Sequence, residues 1–272
     1  MSELNYCVRK SPSDILPPDT LGEFLDHKYD KLNPGSFMDS DPIQIPKLFS
    51  LKQDIEIAAF ITSLIAWGRR ETIIKNAKRF LEMTDMDPYR FISEFTPGDL
   101  KPFRKFVHRT LNGNDACYLL SRLQEIYSQH KSLEKAFFGK FEPEEDAIKN
   151  GITAFRANFL QGKGAARFGR HLGNPEKKSS CKRMNMFLRW MVRKDDKGID
   201  FGLWSNRLIP HLICPLDVHT GNSARMLSLL HRKQNDWQAA EELTGNLRRF
   251  DPADPVKYDL VLYYEGARGG WD

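Results

Sequence analysis

The stretch DIEIAAFITSLIAW, residues 54–67, decides the fold class of the chain. Apolar side chains cover most faces of a helix drawn through it, which is typical of a helix at the centre of a core. Asp54 stands where an N-cap is expected, and Gly68 breaks the pattern at the other end. Polar residues such as Glu56 interrupt the run, and it is too short to span a bilayer. The stretch therefore predicts a buried core helix.

Helical periodicity continues on both sides of this stretch. Residues 70–83 place Ile73, Ala77 and Phe80 on one stripe of an amphipathic helix. The same pattern and its Pro, Gly and Asn breaks predict further helices over 21–32, 88–95, 98–111, 115–129, 131–138, 144–160, 235–250 and 254–267. No alternating strand pattern and no internal repeat is found in the sequence. We therefore predict an all-α protein.

Composition narrows the function classes. The 272 residues are 40% hydrophobic, so the chain is long and apolar enough to bury a full core. Neither the cysteines nor the seven histidines show metal-ligand spacing, and the first residues contain no apolar signal segment. The four cysteines lie far apart, at Cys7, Cys117, Cys181 and Cys214. We expect no disulfide framework, no metal, no cofactor and a cytoplasmic location.

Positive charge is concentrated in residues 177–194, KKSSCKRMNMFLRWMVRK. This segment has seven Lys or Arg and no acid, while the whole chain has a net charge of only +5. Such a field is expected of a phosphate-binding surface, and a solvated helix face is the competing interpretation. One stripe of the predicted helix is apolar and belongs in the core: Met184, Phe187, Leu188 and Met191. A second, basic stripe contains Lys182, Arg189 and Arg193.

Lys182 occupies the first turn of this helix if the helix begins near Cys181. The helix dipole is positive there, and Lys177, Lys178 and Arg183 add further positive charge. Each of these effects favours the neutral amine that a Schiff-base nucleophile needs. The competing interpretations are an exposed phosphate contact and a lysine without a functional role.

Asp217 lies within LICPLDVHTGNSARMLSLL, residues 212–230, where an apolar residue would suit a core better. Asp is a good N-cap, so the carboxylate has a structural explanation as the start of a helix. The alternative is that chemistry needs this carboxylate and the helix start fixes its position. Lys182 and Asp217 are 35 positions apart, and we expect their side chains to converge in one cleft.

The combination of these motifs resembles the helix–hairpin–helix DNA glycosylases. In that superfamily a P-V-D-x-H-x-x-R run carries the catalytic aspartate, and bifunctional members place a catalytic lysine at the start of the second hairpin helix. CPLDVHTGNSARML is similar to the run, with Asp217 and His219 in register, and Lys182 matches the lysine. The spacing is closest to the archaeal 8-oxoguanine glycosylase branch. The usual L-P-G-V-G hairpin is replaced by LGNPEKKSSCK.

The chain as a whole also resembles a mostly bacterial family of unknown function, through RMNMFLRWMVR and PLDVHT. The glycosylase resemblance implies two helical subdomains with a cleft between them. Residues 54–185 would form the central, barrel-like subdomain that ends in the hairpin and Lys182. Residues 1–53 and 186–272 would form the second subdomain, which carries Asp217.

The glycosylase resemblance also implies a function, namely base-excision repair by a bifunctional glycosylase with AP lyase activity. The partner would be damaged duplex DNA, with an oxidised purine as the candidate lesion, and the protein would be a monomer without a membrane partner. Lys182 and Asp217 would be catalytic, and Trp67 would line the base pocket or pack as a core aromatic. The DNA contacts would be Lys177, Lys178, Ser179, Ser180, Arg183, Arg189, Arg193, His219, Arg69 and Arg70.

Two other functions are compatible with the sequence. One is a non-catalytic nucleic-acid-binding helical protein that retains the glycosylase fold, and it predicts salt-sensitive binding without turnover. The other is a structural helical protein whose basic segment binds an acidic partner. Neither needs the Lys182/Asp217 pair, so this pair distinguishes the enzyme from both.

Overall fold

The computed structural model describes residues 18–139 and 146–268, which form helices joined by loops and 3₁₀ turns. Within these ranges there is no β-strand, and a single antiparallel bridge pairs His108 with Leu111. The prediction of an all-α protein is confirmed. The α-helices in chain order are α1 Pro18–Asp30, α2 Pro34–Met38, α3 Lys52–Ile65, α4 Arg70–Glu82, α5 Pro88–Glu94, α6 Gly113–Gln129, α7 Leu133–Phe138, α8 Ala147–Phe159, α9 Ala165–Phe168, α10 Lys182–Val192, α11 Val218–Met226, α12 Trp237–Arg248 and α13 Lys257–Arg268.

Helix α3 is the central helix of the core, as its sequence predicts. Every residue from Asp54 to Ile65 is buried, and α4, α5 and α10 pack around the helix. Phe60 lies edge-to-face against Phe155 of α8 and Phe187 of α10, with ring centroids 5.5 and 5.4 Å apart. None of the described helices is long and apolar enough to cross a membrane.

Glu56 anchors α3 through a fully buried carboxylate. It accepts hydrogen bonds from the Tyr127 hydroxyl (2.8 Å), the Ser132 hydroxyl (2.5 Å), the Leu133 amide (2.9 Å) and the Trp204 indole (2.7 Å). A buried carboxylate is stable only when its oxygens are satisfied in this way. The carboxylate therefore ties α3 to α6, to the start of α7 and to the loop that follows α10.

Two local predictions are wrong. Asp54 does not cap α3, because Leu51 occupies the N-cap position, and the Asp54 carboxylate instead accepts the Tyr89 amide of α5 (2.8 Å). The helix predicted over 98–111 is reduced to a 3₁₀ turn at Pro102–Lys105. Asn112 and Asp115 form a capping box, so the next helix starts only at Gly113.

The prediction that Arg189 and Arg193 form a DNA-binding basic stripe on α10 also needs correction. The apolar stripe is buried as predicted, but Arg189 and Arg193 are buried too. Arg189 donates to Asp200 (3.2 Å) and Asp259 (2.5 Å). Arg193 donates to Asp254 (2.9 Å), Asp200 (3.1 Å) and the Tyr29 hydroxyl (2.7 Å). A buried guanidinium needs such partners, and neither arginine is available to bind DNA phosphate.

Helices α11 and α13 pack closely against each other, and Gly266 of α13 lies beside the first turns of α11. Gly266 makes this approach possible, since a Cβ there would lie 2.4 Å from the Ser223 hydroxyl and 2.9 Å from the His219 carbonyl oxygen. The α13 residues Asp259 and Tyr263 consequently face the region around Asp217. The two-subdomain division at residues 54–185 stays a prediction.

Candidate active site

Lys182 and Asp217 meet at the starts of two helices. Lys182 is the first residue of α10, and Asp217 is the N-cap of α11, where its carboxylate accepts the Thr220 amide at 3.0 Å. The Lys182 Nζ lies 3.5 Å from Asp217 Oδ2, and both side chains are partly exposed. The expected convergence of these side chains is confirmed. Asp217 is therefore a cap whose carboxylate also contacts a lysine.

Hydrogen bonds on both sides of the pair fix its geometry. The Ser180 hydroxyl donates to the Leu216 carbonyl (3.2 Å), which joins the residues before Lys182 to those before Asp217. The Ser179 hydroxyl accepts the Cys181 amide (3.2 Å), so both serine hydroxyls that were expected at phosphate have partners within the protein. Asn235, which sequence analysis missed, donates its side-chain amide to the Asp217 carbonyl (2.9 Å).

Arg225, which follows His219 on α11, has a structural role here. Its guanidinium donates to the backbone carbonyls of Arg232 (2.8 and 3.0 Å) and Lys233 (3.0 Å) and to the Asn235 side chain (2.6 Å). Arg225 therefore holds the loop that presents Asn235 to Asp217.

The pair faces a pocket of about 840 Å³. This volume lies in the range of small-molecule sites and is large enough for a nucleotide-sized group. Residues from α3–α4, the turn before α10, the start of α11 and α13 line it. The residues that matter for its chemistry are Trp67, Arg70, Asp41, Asp259, Tyr263 and His219, together with the pair.

One wall of the pocket is aromatic. Trp67 is half-buried and stacks in parallel on His171, with ring centroids 5.9 Å apart. The Arg183 guanidinium lies 4.4 Å from the Trp67 ring centroid and also donates to the Leu64 carbonyl. Burial lowers the pKa of Arg183 to about 10. Arg183 thus supports the Trp67 ring as a cation–π partner, and Trp67 lines the pocket.

The pocket lining also contains two buried carboxylates that sequence analysis missed. Asp41 accepts the Ile43 amide (2.9 Å), and burial raises its pKa. Burial, opposed by Arg189 and assisted by the charge of Asp217, raises the pKa of Asp259 to about 6. Asp259 is the one acid in the apolar stretch YDLVLYY, residues 258–264, and this pattern could have singled it out. Asp41 precedes a proline in a turn and carries no comparable signal.

The other predicted contacts differ in exposure. Lys177, Lys178 and Arg69 are exposed. Arg70 is directed inward and donates to the Tyr263 hydroxyl at 2.7 Å. His219 is exposed and lies edge-on to the Tyr263 ring, with centroids 6.3 Å apart. In the described residues, no three His, Cys, Asp or Glu side chains are grouped as metal ligands.

We expect Asp259→Asn to change the pH dependence of stability. Because Asp259 binds its proton more tightly in the folded protein, its contribution to stability is complete below the usual pKa of 3.8 and is lost as the pH rises through about 6. The Asn variant does not lose this contribution. Its free energy of unfolding, relative to wild type, should rise by up to about 3 kcal/mol over that range.

Urea unfolding of both proteins across this pH range measures the difference. The altered contact with Arg189 shifts this difference by the same amount at every pH, so it does not change how the difference varies with pH. A difference that is independent of pH would show that Asp259 titrates at its ordinary pKa.

Together these observations define an all-helical protein with a lysine–aspartate pair at two helix starts, facing a pocket with an aromatic wall. The chain belongs to the family described as "Protein of unknown function (DUF2400)", whose model matches residues 41–268. The resemblance of the whole chain to a family of unknown function is thereby confirmed. No curated protein and no solved structure matches the chain.

Proposed function

We propose that this protein is a DNA base-excision glycosylase with AP lyase activity that acts on a damaged base in duplex DNA. The observation that carries the proposal is the 3.5 Å contact between Lys182 and Asp217 on the pocket. If Asp217 only capped α11, it would need no lysine beside it. If Lys182 only contacted phosphate, it would need no carboxylate beside it. The similarity of the surrounding motifs to the helix–hairpin–helix glycosylases supports the same function.

The damaged nucleotide leaves the base stack and enters the pocket, where the Trp67 face offers a surface for stacking. Arg70 and Tyr263 provide polar groups at the pocket wall. The buried carboxylates Asp41 and Asp259 provide hydrogen-bonding groups for a base edge. The pocket therefore offers both stacking and hydrogen bonding to one extruded nucleotide.

In the first chemical step the bond between C1′ and the base breaks. The base leaves with the electron pair and takes up a proton, and the Asp217 carboxylate stabilises the positive charge that develops on the sugar. Lys182, as the free amine after release of one proton to solvent, bonds to C1′ through Nζ. Asp217 accepts the proton that the attacking nitrogen then loses.

Strand cleavage follows from the covalent intermediate. The C1′–O4′ bond breaks, O4′ takes the proton back from Asp217, and a protonated imine forms between Lys182 and C1′. C2′ then loses a proton to solvent, its electron pair forms a C2′–C3′ double bond, and the C3′–O bond breaks, so that the 3′ phosphate leaves and the strand is cleaved. Both activities therefore depend on the same lysine.

Borohydride trapping tests the proposal. The wild-type protein is incubated with duplexes that contain an abasic site or 8-oxoguanine, in the presence of sodium borohydride. Reduction of the imine should produce a covalent protein–DNA adduct that survives denaturing electrophoresis. Undamaged duplex and omission of borohydride are the controls. Absence of an adduct with every damaged or abasic duplex would leave the non-catalytic binding protein as the function.

A further inference from the structure

The surface beside the pocket mouth carries a cluster of cations, of which the resemblance to the glycosylases implies only Arg69 and Arg70 as DNA contacts. Residues 69–79, 104–110 and 167–170 contain ten Lys or Arg and one acid, Glu71. Since the whole chain has a net charge of +5, the remaining residues are net negative. We call eight exposed residues of these segments the basic face: Arg69, Lys75, Arg79, Arg104, Lys105, Arg109, Arg167 and Arg170.

Contacts between these segments show that they form one surface. Asn76 and Arg79 lie on one stripe of α4 and contact residues 106–108: Asn76 hydrogen-bonds His108 (2.9 Å), and Arg79 donates to the Val107 carbonyl (3.2 Å). Lys75, four positions before Arg79, belongs to the same stripe. Arg170 donates to the Thr110 carbonyl (3.0 Å), which joins the third segment to the second.

Arg109 connects this surface to the pocket mouth. It has a left-handed backbone (φ 54°) in the turn that the His108–Leu111 bridge closes, an unfavourable conformation for a residue with a side chain. Its guanidinium lies over Gly68, a pocket residue with φ 103°, and a Cβ at position 68 would come within 2.9 Å of the guanidinium. Gly68 therefore leaves the space that Arg109 occupies at the mouth.

Two arginines of the face are held by one buried carboxylate. Arg167 donates two hydrogen bonds to Asp115 (3.0 and 2.9 Å), and Arg170 lies 3.8 Å from the same carboxylate. Both side chains remain more than 40% exposed. By contrast, Lys75, Arg104 and Lys105 form no ion pair with any residue that the structure describes. The basic face therefore contains both cations that an ion pair holds in position and cations that form no ion pair with a described residue.

We infer that the basic face binds the sugar–phosphate backbone of duplex DNA and holds the duplex against the pocket mouth. Six of its eight cations are arginines, whose forked guanidinium groups match phosphate oxygens. An extended row of phosphates neutralises a cation cluster that runs over three chain segments. The inference rests on the proposed function for its substrate, but it concerns residues outside the Lys182/Asp217 pair and outside the basic segment 177–194.

The test is direct binding of a short undamaged duplex, which requires no catalysis. The face variant replaces Lys75, Arg104, Lys105 and Arg109 by Gln. The matched control variant replaces four exposed cations that do not line the pocket by Gln, namely Lys31, Lys131, Lys135 and Arg249. Both variants lose four positive charges. A difference in their affinity for the duplex is therefore due to the position of the removed charges and not to net charge.

We expect the face variant to bind at least about tenfold more weakly than the control variant at moderate salt. The slope of log affinity against log salt should become shallower by up to about 0.9 for each backbone contact removed. Circular dichroism and thermal unfolding check that both variants are folded. Equal affinity of the two variants for the duplex would overturn the inference.

The outcome is separable from that of the trapping experiment. Weaker duplex binding by the face variant supports the basic face even if the wild-type protein forms no adduct. An adduct formed by a face variant that binds DNA as tightly as the control supports the proposed chemistry and overturns the basic face. A matched RNA duplex and anionic lipid vesicles are the comparison ligands. Loss of vesicle binding in the face variant, with unchanged DNA binding, would also overturn the inference.

Discussion

Lys182→Gln should abolish the borohydride-trapped adduct with abasic and 8-oxoguanine duplexes. Glutamine retains the length and polarity of the side chain but has no amine that can form an imine. The effect on folding should be small, since the Lys182–Asp217 ion pair is partly exposed and such pairs contribute about 1 kcal/mol or less. Quantification of the adduct by denaturing electrophoresis, at equal protein and DNA concentrations, measures the loss.

Lys194→Gln is the control for this substitution. Lys194 is an exposed lysine just beyond the other end of α10, so its replacement makes the same chemical change away from the pocket. The control should retain a wild-type yield of adduct. Continued trapping by Lys182→Gln would mean that another amine is the nucleophile, and the role assigned to Lys182 would be wrong.

Asp217→Asn should slow base release by about a hundredfold or more, as loss of a positioned acid–base group does. Asn caps helices as well as Asp does, so α11 should form and the stability should change by less than about 1 kcal/mol. The carboxylate charge that stabilises the developing positive charge on the sugar is lost. Single-turnover release of the base from a damaged duplex, with protein in excess, isolates this step.

Asp236→Asn supplies the matched control. Asp236 caps α12 by accepting the Ala239 amide at 3.0 Å, which is the same cap distance that Asp217 makes with Thr220. It does not line the pocket. The control should release the base at the wild-type rate. Full activity of the Asp217 variant would show that Asp217 is a cap and nothing more.

The helical architecture and the Lys182/Asp217 pair could be predicted because both depend on local pattern. Apolar periodicity identified α3, α4 and α10, and the residue types expected at helix starts identified Asp217. The fates of Arg189 and Arg193 could not be predicted in the same way. Their burial depends on Asp200, Asp254 and Asp259, which lie up to 70 positions away and come into contact only in the folded chain.

The same limit explains the parts of the site that the sequence did not reveal. Asn235 acts on Asp217 from 18 positions away, and Asp41 lines the pocket from a loop near the other end of the chain. The basic face is divided among three short segments, none of which contains as many cations as the seven in residues 177–194. A contiguous run of charge is visible in a sequence, but a charged surface assembled by the fold is not.

The four hydrogen bonds that Glu56 accepts have a mechanical consequence for the pocket. They join α3 to partners drawn from residues 127–204, so the helix cannot rotate about its axis or slide along it without losing several bonds at once. Trp67 lies two residues after the end of α3, so its backbone is held in place together with the helix. The aromatic wall is therefore preorganised, and a ligand that stacks on it does not bear the entropy cost of ordering it.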